Sequence, residues 1–120
     1  MVLVENIVIG LIAVLHLYFL VLEMFLWDKP AGLRAFGHSK EAALASRILA
    51  ANMGLYNGFL AAGLFWSIFA GSEALHIKLF FLACVLIAGI FGAITVGKKI
   101  LLIQALPAII GLAVVILSEW

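Results

Sequence analysis

The sequence predicts an all-α, polytopic membrane protein, a bundle of four transmembrane helices, and three observations predict it. Of 120 residues, 68% are apolar or aromatic and 11% are charged, against roughly 25% charged in soluble domains. Stretches free of Lys, Arg, Asp and Glu cover residues 6–22, 48–72, 79–97 and 100–118, with lengths of 17, 25, 19 and 19 residues. Each is near the roughly 20 residues that a helix needs to cross a bilayer. The Lys and Arg residues gather between these stretches. A soluble domain of this size buries only about two-thirds of the surface its unfolded chain exposes, too little to hide so much apolar area. Soluble, disordered, nucleic-acid-binding and disulfide-framework classes are excluded, the last because Cys84 is the single cysteine.

The spans are expected at about residues 4–27, 48–70, 77–97 and 100–118, within a single domain covering 1–120. The first lacks a basic n-region and an A-x-A-like cleavage site, so it reads as a retained helix rather than a signal peptide. Trp27 followed by Asp28, Lys29 and Pro30 marks its exit, an interfacial aromatic before charges and a residue that disfavours helix just ahead of it. A polar connector follows to about His38. Ser39 is the expected N-cap of the second helix, with Glu41 in its first turn, and this helix protrudes about two turns before its apolar part. Gly71, Ser72 and Glu73 end it, with Ser72 the expected cap of the third. Gly97, Lys98 and Lys99 leave so short a loop that the third and fourth spans must be antiparallel neighbours.

Orientation follows from the cations. Lys29, Arg34, Lys40, Arg47, Lys98 and Lys99 fall on one side of the four-span arrangement and only Lys78 on the other. By the positive-inside rule, both termini are expected outside the cytoplasm.

Polar groups within the spans are the informative ones, since an ionisable side chain at the bilayer centre costs about 2.5–3.5 kcal/mol on insertion scales. His16 and Glu23 are seven residues apart on the first span, which puts them on one face, about 10.5 Å apart along the axis. With antiparallel neighbours, Asn52, Tyr56 and Asn57 of the second span and Gln104 of the fourth come to the level of Glu23 or between it and His16. One reading of this layer is an interhelical hydrogen-bond clasp, each bond contributing about 0.6 to 2 kcal/mol. The other is a ligand- or proton-binding site formed by Glu23, His16, Asn52, Tyr56, Asn57 and Gln104. A carboxylate favours the second reading, because a Gln would clasp at lower cost. Pro107, beside Gln104, removes an N–H and kinks the fourth helix, either as a harmless bend or as part of the site.

Small residues have a plainer role. Ala50, Gly54, Gly58 and Ala62 recur every four residues, as do Gly89, Ala93 and Gly97, with Gly92 beside them. Such ridges let helix backbones approach closely. Gly54 and Gly58 lie roughly opposite Asn52 and Tyr56, so either the second helix is central or one of its faces forms a homo-oligomer; intramolecular packing is the preferred expectation. No catalytic set, metal site or cofactor motif is assigned: the three histidines are dispersed, and no G-x-S-x-G, H-E-x-x-H or P-loop pattern occurs.

The runs HLYFLVLEMFLW at 16–27, NMGLYNGFLA at 52–61, AGIFGAIT at 88–95 and QALP at 104–107 together resemble the bacterial membrane family catalogued as domain of unknown function 1304. The resemblance covers nearly the whole chain. It implies a small four-span protein of the bacterial plasma membrane with motif residues His16, Glu23, Asn52, Tyr56, Asn57, Gln104 and Pro107, and it supplies no reaction. The leading functional expectation is binding or transport of a small molecule through a protonatable intramembrane pocket, with the lipid bilayer as the other partner. The alternatives are a structural or lipid-interacting protein whose polar layer is only a clasp, and an intramembrane isomerase-like enzyme using Glu23 and His16 as acid and base.

Overall fold

The computed structural model describes residues 1–120 and is all-α. Helices α1 (Val2–Met24), α2 (Pro30–Phe36), α3 (Lys40–Ile68), α4 (Ala74–Thr95) and α5 (Leu106–Glu119) follow one another, with a 3₁₀ turn at Gly71–Glu73 and a π-helical segment at Leu101–Ala105. Four stretches, Val2–Met24, Lys40–Ile68, Gly71–Thr95 and Leu101–Glu119, are long and apolar enough to cross a membrane, one for each expected span.

The chain forms two compact units. One comprises Met1–Ala13 and Ala62–Trp120, the other Val14–Ala61. In the first unit, α4 and the start of the last span are antiparallel neighbours. A Cβ on Gly89 would lie 2.6 Å from the backbone nitrogen of Ala105, and one on Gly92 would lie 3.1 Å from Ile100 Cγ2. Gly111 of α5 likewise seats the side chains of Leu82 and Ile12. Ile9, Ile12, Leu64, Leu82, Val85, Ala108 and Val115 are buried.

The second unit is the hairpin of Val14–Met24 with α3 up to Ala61, closed by the connector. Helix α1 ends at Met24, three residues before the expected exit, and the connector is not wholly irregular. Pro30 opens α2 at its first turn, where its missing N–H is no loss, and Lys29 before it is extended (φ −95°, ψ 163°), as a pre-proline residue prefers. Gly32 fixes where the chain turns back, since a Cβ there would stand 2.8 Å from the carbonyl oxygen of Trp27. Gly37 then ends α2 in the left-handed conformation (φ 65°), which costs glycine no steric penalty.

The two expected serine caps part company. Ser39 Oγ accepts from the Ala42 N–H at 3.1 Å, as expected for α3. Ser72 does not cap α4: the 3₁₀ turn brings Glu73 to the N-cap position, and no side chain caps that helix. A change of winding comes immediately before Pro107. The Leu106 N–H reaches back five residues to the Leu101 carbonyl, so a π turn of one extra residue precedes the proline and bypasses its missing donor.

Candidate functional site

In the second unit the site begins with a close approach of two helices. A Cβ at Gly54 would lie 2.6 Å from Met24 Cγ and 3.1 Å from Glu23 Cβ, and one at Gly58 would lie 2.7 Å from Leu20 Cδ1. The small face of α3 is therefore the face against α1. At about 100° per residue, Asn57 sits roughly 60° from Gly54, on the flank of that contact. It donates from Nδ2 to Glu23 Oε1 at 2.5 Å. Glu23 is 3% exposed, and this charge-assisted bond supplies a partner that a buried carboxylate requires.

The same geometry turns Asn52 and Tyr56 away. Both lie about 160° from Gly54, one on either side. Tyr56 is 57% exposed, and Asn52 donates to the Ile48 carbonyl of its own helix at 2.9 Å. His16 is fully buried, with its ring edge-on to Phe19 at a centroid distance of 5.3 Å. Of the expected layer in this unit, the structure thus joins Glu23 and Asn57 by a hydrogen bond and leaves Asn52 and Tyr56 on the exposed side. Gln104 belongs to the other unit, where it is half-buried within the π turn that ends before Pro107.

Just beyond Glu23 the connector is pinned onto the hairpin. Trp27 Nε1 donates to Ser46 Oγ at 3.1 Å, His38 Nε2 lies 3.2 Å from the Trp27 carbonyl, and Lys40 Nζ donates to the Asp28 carbonyl at 3.0 Å. The rings of His38 and Phe36 flank the Trp27 indole at 4.4 and 4.7 Å. Beside this cluster lies an open groove of about 410 Å³, lined by Met24, Phe25, Asp28, Lys29, Arg47, Ile48, Ala51 and Asn52.

The first unit holds a polar cluster that sequence reasoning missed. Lys78, which entered the sequence reading only as the one cation on the far side, lies in the second turn of α4 and is 4% exposed. Its Nζ donates to Glu5 Oε1 at 2.7 Å and to Asn6 Oδ1 at 2.9 Å. The signal was available: Glu5 shares the polar stripe of His16 and Glu23, and Lys78 starts the span that returns to the same end. No group of three His, Cys, Asp or Glu side chains converges as metal ligands.

Comparison with known proteins agrees with the motif runs. Residues 10–116 match the family described as "Protein of unknown function (DUF1304)". The chain is 34% identical over 104 residues to the uncharacterized protein YpaA of Lactococcus lactis subsp. lactis (strain IL1403), covering 85% of this chain and 87% of that protein. No solved structure matches it significantly. The matched segment holds all of the residues quoted above from His16 to Pro107, and the chain belongs to the DUF1304 family.

Proposed function

We propose that this is a multi-pass protein of the bacterial cell membrane, with both termini outside the cytoplasm, that binds or transports a small molecule through a protonatable site at Glu23. The carrying observation is the Glu23–Asn57 pair, a buried carboxylate held by a single neutral donor from the facing helix. Intramembrane carboxylates commonly mark substrate or proton pathways, and an amide partner leaves the carboxyl able to exchange a proton without breaking an ion pair. Four apolar helices and the bacterial relative support the membrane location, and six of seven Lys/Arg on one side support the orientation.

Glu23→Gln tests the reading, because it keeps shape and hydrogen bonding while removing the titratable group. In reconstituted vesicles, a screen of small organic cations and neutral solutes under an imposed pH gradient should find solutes whose uptake or release depends on that gradient. The dependence should vanish in Glu23→Gln, with thermal stability kept. A variant that responds to the gradient as the wild type does would overturn the proposal.

The clasp reading is favoured by one specific observation: Asn52 and Tyr56 do not converge on the pair. It expects Asn57→Leu to lower stability by about 1–3 kcal/mol, through the unpartnered buried carboxylate, and expects Glu23→Gln to leave every transport readout unchanged.

A further inference from the structure

The groove at the foot of the hairpin has the chemical layout of an amphiphile site. Its wall carries two cations, Lys29 and Arg47, and one carboxylate, Asp28. The Arg47 guanidinium stands 3.9 Å from Asp28 Oδ2, longer than the roughly 2.7–2.9 Å of a committed charge-assisted bond. The Arg47 side chain is 61% exposed, so most of its five donors remain available to the oxygens of an anion. Lys40, held on the Asp28 carbonyl, adds positive potential beside it. Further along, the lining turns apolar through Met24, Phe25, Ile48 and Ala51, and Phe25 and Ile48 are 64% and 76% exposed. Hydrogen bonds of Trp27 to Ser46 and His38 tie down the residues next to Asp28 and Arg47 in this wall. Its volume of about 410 Å³ falls in the ordinary range for small-ligand sites.

We propose that this groove is a binding site for an anionic phospholipid, with Lys29 and Arg47 on the headgroup phosphate and an acyl chain running along Phe25 and Ile48. Charge complementarity selects the occupant: the lining carries a net positive charge at one end and hydrocarbon at the other. Basic side chains beside a span attract anionic lipid in general; the groove adds a defined seat. The inference rests on the membrane reading given above, but not on a role for Glu23.

The test is native mass spectrometry of the detergent-extracted protein, incubated with phosphatidylglycerol or with phosphatidylcholine of the same chains. One phosphatidylglycerol should survive activation, with phosphatidylcholine retained at least about five-fold less. Lys29→Gln/Arg47→Gln should lower phosphatidylglycerol retention about five-fold or more. Lys98→Gln/Lys99→Gln, which removes equal charge elsewhere, should leave it unchanged. Ala51→Trp should lower it by filling the groove at constant charge. Lys29→Gln alone keeps the Arg47–Asp28 pair and serves if the double variant is not monodisperse. Equal retention of the two lipids, or equal losses in the two charge variants, overturns the proposal while leaving the Glu23 reading intact. A chain that never enters the membrane fraction overturns both.

Discussion

Lys78 and Glu5, 73 residues apart in sequence, form an ion pair at 2.7 Å in which both side chains are about 95% buried, with Asn6 taking a second bond from the same ammonium. Such a pair ties the start of α4 to the start of α1. Its partners are not independent, because each is the compensation for the other's burial.

Removing one partner should therefore do more harm than removing both. Lys78→Met leaves the Glu5 carboxylate buried and uncompensated, and should destabilise by about 3–5 kcal/mol. The double variant Glu5→Leu/Lys78→Met should recover most of that loss, since apolar replacement of a buried pair is often neutral or stabilising. Thermal unfolding in detergent, followed by circular dichroism, checks the ordering. A double variant no more stable than the single one would contradict it.

Two helical glycines should respond in opposite directions to the same change. At Gly89 an added Cβ would lie 2.6 Å from Ala105 N and 2.9 Å from Ala105 Cα. These are backbone atoms that yield only if the helices separate, so Gly89→Ala should cost about 1–3 kcal/mol. Gly10, inside α1, has nothing within 4 Å of the same position, and Gly10→Ala should gain about 0.5–1 kcal/mol from helix propensity. Paired melting curves of the two variants decide the matter, and like signs would refute the packing account.

The two serines that begin helices in the sequence give a third contrast. Ser39→Ala removes the acceptor of the Ala42 N–H and should cost about 1 kcal/mol. Ser72→Ala removes no cap and should stay within about 0.5 kcal/mol of the wild type. Amide exchange at Ala42 offers a local check, faster in Ser39→Ala and unchanged in Ser72→Ala.

Helix number was legible in the chain because it depends on a one-dimensional quantity, the lengths of the charge-free runs, and the rise per residue brought Glu23 and Asn57 near the same level of their hairpin. The Glu23–Asn57 level came from that arithmetic. Azimuth was the harder coordinate. Asn52 and Tyr56 were expected at the level of Glu23 or between it and His16, but the Gly54–Gly58 ridge claims the contact with α1 and turns them outward. The ridge itself was readable from its four-residue spacing, and combining it with depth would have singled out Asn57. Lys78 escaped because it was weighed only as a charge in the count that sets orientation. The winding of the last span escaped for a different reason: a proline announces a lost donor but not how the backbone before it is wound.

That winding has a bearing on how the chain can vary. The π turn at Leu101–Ala105 stores one residue more than an α-helix of the same rise would hold, so the Lys98–Lys99 hairpin and α5 are joined through a slack link. Deleting a single position such as Leu102 would draw that slack tight and leave α5 in its own frame. Within an otherwise continuous apolar span, this is the place where a one-residue length difference between relatives can be absorbed without turning a helix face over.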